Sequence, residues 1–236
     1  MSTALITGGS QRIGQAIALT LADKGLNIAL HYNHSREHAE KTASSIRKKQ
    51  VQCNLFQSDL TDMHSLQQLI PAVQKQFPDC HVLVNNASVF KRSEFMETGE
   101  ALFDEAMAIH LKAPFFLSQA FARCFKTGLI INMLDTKISK ELTSYTAYIL
   151  SKKGLAELTR LMAKSLGPDF RVNGIAPGII LPSVDTSQEV VERLKMKLPL
   201  QKQGSTEQID QAVRFLLENK FVTGEILYID GGEHLN

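Results

Sequence analysis

The chain has no tryptophan, and its three cysteines, Cys53, Cys80 and Cys124, fall in no metal or disulfide spacing. Scattered thiols in odd number exclude a disulfide scaffold and fit a reducing compartment, so a cytoplasmic location is expected. No apolar run reaches the ~18 residues that a spanning helix needs. The chain opens directly on an apolar strand with no basic leader ahead of it, and no membrane partner is expected. Charge of one sign is lacking too. Twenty-six basic and 24 acidic residues are interspersed for a net charge of +2, which leaves no basic stripe for nucleic acid. Repeats, low-complexity tracts and Pro/Gly/Ser linkers are absent, so a single domain over 1–236 is expected.

What is present is alternation. With 44% hydrophobic and 21% charged residues the chain can bury one α/β core. Short apolar runs at 3–7, 27–31, 51–57, 82–85, 128–134 and 171–175 read as strands. Amphipathic segments at 13–25, 37–50, 62–77 and 147–165 read as helices between them. Strand-helix alternation implies right-handed crossovers. The expected architecture is therefore α/β: a single Rossmann-type, doubly wound parallel sheet of about seven strands with helices on both faces.

The first strand ends in Thr7-Gly8-Gly9-Ser10-Gln11-Arg12-Ile13-Gly14 and opens a helix. Backbone N–H groups at such a helix start can approach a pyrophosphate that a β-carbon would keep away. A tight turn without a ligand is the bland alternative, but the strand-turn-helix context is the one that phosphate binding requires. After the second strand, the acidic residue that would bind a ribose 2′-hydroxyl is missing. His31-Tyr32-Asn33-His34-Ser35-Arg36 stands there instead, and Arg12 lies in the glycine turn. Basic and hydroxyl donors suit a 2′-phosphate, which points to NADPH. His31, His34 and His38 share no helical register and no carboxylate partner, so no metal is expected.

The strand at 128–134 is followed by Asp135, thirteen positions before Tyr148, and Lys152 stands four after Tyr148. Residues four apart on a helix share a face. An ammonium beside a phenol favours the phenolate, so the spacing predicts a tyrosine whose proton moves nearer neutrality. Strand ends are where open α/β sheets place their chemistry. Alone, such a Tyr–Lys pair more often marks a solvated helix face. The helix around it has a predicted apolar stripe of Leu150, Leu155, Leu158, Leu161 and Met162.

Taken together, the glycine turn, Asn85-Asn86-Ala87, Tyr148 with Lys152, Pro177-Gly178 and the tail 222–232 resemble the short-chain dehydrogenase/reductases over essentially the whole chain. Three departures resemble the pteridine reductase branch, and the Ile109-His110 segment with the tail from Phe221 to Leu235 resembles more closely the bacterial dihydromonapterin/dihydrofolate reductases. Arg12 stands for the third glycine, Asp135 for the usual serine, and Asn86-Ala87-Ser88-Val89-Phe90 for the common Asn-Ala-Gly.

The resemblance implies that Gly8, Ile13 and Gly14 meet the pyrophosphate. Arg12, Asn33, His34 and Ser35 would hold the 2′-phosphate, with His31 and Tyr32 beside them. Asp59 and Leu60 would flank the adenine, and Asn86, Ala87, Ser88, Met133, Tyr148, Lys152, Pro177, Gly178 and Ile180 would line the nicotinamide half. For a pterin or folate substrate it implies Ser88, Phe90, Asp135, Tyr148 and Leu181, with Phe90 covering the ring and Asp135, Tyr148 and Lys152 catalytic. A short lid near 179–200, with a helix at 187–198, and a homotetramer or homodimer are also implied. His110 replaces the family's usual asparagine, and packing or proton relay would both suit it. A carbonyl reductase and a non-catalytic NADP(H) sensor are the competing readings.

Overall fold

The computed structural model describes residues 2–182 and 187–236. Seven strands run parallel in one sheet: β1 (Thr3–Ile6), β2 (Asn27–Tyr32), β3 (Cys53–Gln57), β4 (Cys80–Asn85), β5 (Gly128–Met133), β6 (Phe170–Pro177) and β7 (Ile226–Ile229). Their order is β3-β2-β1-β4-β5-β6-β7. The helices are α1 (Arg12–Asp23), α2 (Arg36–Arg47), α3 (Met63–Gln76), α4 (Glu100–Met107), α5 (Ala113–Cys124), α6 (Thr146–Leu166), α7 (Gln188–Lys195) and α8 (Thr206–Glu218).

Alternate residues of each strand feed two separate cores. Ala4 and Ile6 of β1 join Ile17 and Leu21 of α1, Ala39 and Ile46 of α2, and Ile209 and Val213 of α8. Leu5, between them, joins Leu66 and Ile70 of α3, Leu117 and Phe121 of α5, and Leu155 and Met162 of α6. Both sheet faces are covered, which is why the strands read as unbroken apolar runs. From β1 the chain moves outward through β2 and β3, then crosses back to β4 and continues the other way. That reversal opens a crevice at the carboxyl ends of β1 and β4, and the loops after β1, β4, β5 and β6 converge on it.

The expected elements appear with small boundary shifts. Strand β3 starts at Cys53 because Gln50 takes a left-handed conformation, φ 64°, and the turn it makes uses the next residues. Asp62 is the cap of α3, its carboxylate accepting the Ser65 N–H at 2.8 Å. Helix α8 is additional to the expected helices, and Ser205 and Gln208 form a capping box at its start. The stripe expected on α6 splits in two. Leu155, Leu158 and Met162 are buried, whereas Leu150 and Leu161 are 49% and 58% exposed. Of the lid expected near 179–200, residues 183–186 lie outside the described residues, and α7 covers most of the helix expected at 187–198. No helix of the described residues is long and apolar enough to cross a membrane.

Candidate functional site

The turn after β1 is fixed by backbone contact. Gly8 is left-handed at φ 61°, and a β-carbon on it would sit 3.0 Å from the Ala87 Cα. A β-carbon on Gly14 would sit 2.2 Å from the Gly8 carbonyl oxygen, so the first turn of α1 lies directly on the glycine turn. Asn86 Nδ2 donates to the carbonyls of Thr7 (2.9 Å) and Gly8 (3.1 Å). The Thr7 hydroxyl accepts the N–H groups of Asn86 (2.9 Å) and Ala87 (3.0 Å) and donates to the Val84 carbonyl (3.3 Å). The loops after β1 and β4 therefore form one body, with Ile13 half-buried at the start of α1.

Two residues expected around the 2′-phosphate lie elsewhere. His31 is 2% exposed and sits behind the turn: its Nδ1 accepts the Gly8 N–H at 3.1 Å, which leaves Nε2–H to donate to the Ser58 carbonyl at 3.0 Å. Burial lowers its pKa to about 4, so it is a neutral brace rather than a cation. Tyr32 is buried in the core. In β2 all six positions are covered, and strand alternation alone could not have separated the two roles.

Arg12 also departs from expectation. It takes φ 56°, the conformation that the usual glycine would adopt, and its guanidinium donates to the carbonyls of Leu181 (2.5 Å) and Pro182 (3.1 Å). Those carbonyls follow β6, on the far side of β1 from Asn33, His34 and Ser35. Gln11 reaches the β2 side instead, Nε2 to Ser35 Oγ at 3.2 Å. Asn33 Oδ1 and Ser58 Oγ are buried there with no partner among the described residues, two polar atoms that an adenosine moiety's own groups would satisfy. Asp59 is held by the N–H (2.9 Å) and hydroxyl (2.8 Å) of Thr61, and Leu60 is buried.

Asp135, Tyr148 and Lys152 meet at the mouth of the crevice. The Tyr148 hydroxyl donates to Asp135 Oδ2 at 2.7 Å, and the other carboxylate oxygen accepts the Lys137 N–H at 2.8 Å. Lys152 Nζ donates to the Met133 carbonyl at 2.7 Å and lies 5.8 Å from the centre of the Tyr148 ring. The expectation of a phenol tuned toward the phenolate is overturned. Burial first, then the charge and hydrogen bond of Asp135, hold the Tyr148 pKa well above its ordinary value. Burial brings Lys152 down to about 8, partly opposed by Asp135. The adjoining carboxylate outweighs the more distant ammonium, so the hydroxyl stays protonated and ready to donate.

Beside the trio, Phe90 is 48% exposed and stacks on Tyr145 with ring centres 4.4 Å apart and planes at 13°. It meets Tyr148 edge-on at 4.8 Å. Ser93 ties this loop to the start of α6, donating its N–H to the Ser144 carbonyl (2.9 Å) and accepting the Thr146 N–H (2.8 Å). Ser88 is exposed at the crevice. On the opposite wall the Gly178 N–H donates to the Ile229 carbonyl at 3.0 Å, Pro177 and Ile180 are buried, and Leu181 is 39% exposed. A cleft of about 880 Å³ lined by Thr61, Lys91, Glu105 and Lys112 contains none of the trio.

A family model described as enoyl-(acyl carrier protein) reductase, of the short-chain dehydrogenase type, matches residues 8–234. The chain belongs to the short-chain dehydrogenase/reductase family. The 3-oxoacyl-[acyl-carrier-protein] reductase FabG of Staphylococcus aureus is 31% identical over 241 residues, covering 99% of this chain and 98% of the relative. Pteridine reductase 1 of Leishmania tarentolae is 31% identical over 277 residues, covering 98% and 96%. The crystal structure of FolM alternative dihydrofolate reductase 1 from Brucella suis, in complex with NADP, superposes with a TM-score of 0.95 at 35% identity, covering 100% of this chain and 96% of that one.

This short-chain dehydrogenase/reductase thus carries a carboxylate, Asp135, against its tyrosine, as the resemblance to the pteridine reductase branch implies. Gln11, which bonds Ser35, and Tyr145, which stacks on Phe90, lie outside the expected site residues, and His110, for which packing or proton relay was open, is buried with its ring edge-on to Tyr148 at 5.2 Å. Tyr145 was visible as a second aromatic one helical turn before Tyr148, and Gln11 as an amide inside the glycine turn.

The neutral brace at His31 has a consequence for stability. Between pH 6.5 and about 4 the unfolded chain binds a proton that folded His31 refuses, so stability falls as pH falls through that window. Burial and the Lys152 charge lower His110 further, to about 2, which acts in the same direction. His31 alone is worth on the order of 3 kcal/mol of lost stability at the acid end. Melting followed by circular dichroism should show the midpoint dropping steadily from pH 6.5 to 4, and His31→Gln should flatten the drop.

Proposed function

We propose that this short-chain dehydrogenase/reductase is an NADPH-dependent reductase of dihydropterins. It would take dihydromonapterin, dihydrobiopterin or dihydrofolate to the tetrahydro form by reduction of a ring C=N bond. The observation that carries the reading is the Tyr148 hydroxyl on Asp135 at 2.7 Å, beside the exposed ring of Phe90. Bound NADPH would supply the hydride.

Gly8, Ile13 and Gly14 would take the pyrophosphate, with Asn33, His34, Ser35 and Gln11 at the 2′-phosphate and Asp59 and Leu60 at the adenine. The orphaned Asn33 and Ser58 oxygens support an adenosine there. Asn86, Ala87, Ser88, Met133, Lys152, Pro177, Gly178 and Ile180 would surround the nicotinamide half. Phe90 would lie over the flat substrate ring, and Ser88 and Leu181 would touch its rim. Tyr148 would deliver a proton to the ring nitrogen, and Asp135 would accept ring N–H groups and keep that phenol protonated until use. An acceptor-only carboxylate suits a substrate edge rich in N–H better than a ketone oxygen.

The likeness to the Brucella suis dihydrofolate reductase and the Leishmania tarentolae pteridine reductase favours this reading. The Staphylococcus aureus relative favours a second one, reduction of a 3-oxoacyl thioester or ketone. Loss of NADPH absorbance with dihydropterins, compared with a panel of carbonyl compounds, tests the two. Dihydropterin turnover at least ~100-fold above carbonyl turnover is expected, a margin that a site built for N–H recognition supplies. Carbonyl turnover without dihydropterin turnover would replace the first reading by the second. For assembly we propose a homodimer or homotetramer, consistent with exposed Phe103, Phe115, Leu150 and Leu161 on α4, α5 and α6. The free cysteines suit the cytoplasm.

A further inference from the structure

Helices α4 and α5 are joined by a single π-helical turn, Ala108–Lys112. An extra residue in a helical turn changes where the side chains point, and such turns recur at functional sites. Here the turn carries His110 inward, where it is 1% exposed and its ring lies edge-on to Tyr148 at 5.2 Å.

Its hydrogen bonds run in one direction only. The Val89 N–H can only donate, so His110 Nε2, 3.1 Å away, accepts. The Ser88 hydroxyl, 2.9 Å from the same nitrogen, shares that acceptor. The ring proton is thereby assigned to Nδ1, which donates to Ser151 Oγ at 2.9 Å. Ser151 passes its own hydrogen to the Tyr148 carbonyl at 2.7 Å. One imidazole therefore connects the peptide that leads into Phe90 with the helical turn that carries Tyr148. Protonation would remove the Nε2 acceptor. Burial and the nearby Lys152 charge keep the ring neutral, with its pKa lowered to about 2.

We propose that His110 is a positioning residue for the ring substrate: through Nε2 it clamps the Ser88–Val89 peptide, and with it the Phe90 ring, to the first turns of α6. The inference rests on the reading of Phe90 and Tyr148 as substrate contacts. The clamp acts at both ends of the aromatic loop. Ser93 fastens the far end to Ser144 and Thr146, and His110 fastens the near end, so Phe90 is held between two anchors on the same helix start. A histidine that merely fills space would need its volume; this one needs an acceptor at one specific ring atom.

That difference sets the test. Gln places its side-chain oxygen about where Nε2 stands, whereas Asn reaches only as far as Nδ1. His110→Gln should therefore keep the Val89 amide bonded, and His110→Asn and His110→Ala should lose it. Hydrogen–deuterium exchange of peptides spanning 86–92 reads the clamp without any substrate. Steady-state kinetics read its effect on the substrate.

With melting temperatures of the Gln and Asn variants matched, exchange at Val89 should speed up by roughly tenfold in the Asn and Ala variants and stay near wild type in Gln. KM for the dihydropterin should rise roughly five- to tenfold in Asn and Ala, with Gln restoring it. Equal exchange in Gln and Asn, or faster exchange with an unchanged KM, makes His110 a structural residue and overturns the proposal. Should the Ala variant fail to fold, the Gln–Asn comparison decides alone. Wild-type protein that turns over no dihydropterin overturns the proposed function instead. Exchange then still reports the clamp, and KM is taken with the carbonyl substrate that is turned over.

Discussion

Tyr148→Phe is expected to lower turnover by about 10³-fold, within the range that a positioned general acid contributes, while the protein stays folded. The phenol ring, 6% exposed, keeps its packing against Phe90 and His110, and only the hydroxyl disappears. Asp135 loses one donor but keeps the Lys137 N–H, and its side chain is partly exposed, so water can take the vacated place. NADPH binding, followed by fluorescence, should change little, which separates a lost proton from a lost site.

The pH profile of the wild type carries the same argument. Tyr148 is held protonated by burial and by Asp135, so no falling limb below its raised pKa comes from it. Lys152, lowered to about 8, loses its charge first. The rate should therefore be level through neutral pH and decline above about 8, and Lys152→Arg should carry the decline to higher pH. A profile that falls through neutrality would contradict the electrostatics described for the trio.

Much of this was legible in the residues. Strand-helix alternation gave the layers, because both faces of a parallel sheet are apolar and the helices between the strands are not. Glycines at 8 and 14 declared the turn: a β-carbon at 14 would fall 2.2 Å from the Gly8 carbonyl oxygen, and one at 8 would be strained by φ 61° and crowded at 3.0 Å from the Ala87 Cα. The spacing of Tyr148 and Lys152 on a helix, and Asp135 at a strand end, brought the three to one place.

What spacing cannot supply is reach. Both Asp135 and Lys152 were due near Tyr148, but only the carboxylate touches its hydroxyl, and burial first, then that carboxylate, reverse the direction in which the phenol is tuned. Nor does spacing tell a phosphate ligand from its support. His31 lies in a strand with every position covered, and whether its nitrogens face solvent or the Gly8 N–H depends on how the glycine turn folds back over β2. Arg12 turns toward Leu181 because its backbone is left-handed, a property of the fold that residue type hides. Leu150 and Leu161 extended an apolar stripe on paper, while the helix leaves them outside the chain's own core.

Asp135→Ser is expected to cut dihydropterin turnover by roughly 10²–10³-fold and to leave carbonyl turnover unharmed or raised. A serine hydroxyl still accepts the Tyr148 hydrogen and can donate to a substrate oxygen, which a carboxylate cannot do. It cannot accept several ring N–H groups as a charged acceptor, so the loss should fall on the nitrogen-rich substrate. Removing the carboxylate also withdraws two of the three causes that raise the Tyr148 pKa, leaving burial alone. The phenol should then ionise at lower pH, visible as phenolate absorbance in a titration of the variant against wild type. The same carboxylate supports the charge on Lys152, so the ammonium should lose its proton earlier and the alkaline limb should move to lower pH. Asp135→Asn, which keeps the shape and removes the charge, should move both titrations in the same sense. Undiminished dihydropterin turnover in the Ser variant would mean that Asp135 takes no part in recognising the substrate, and the choice of a C=N bond over a carbonyl would lose its physical ground.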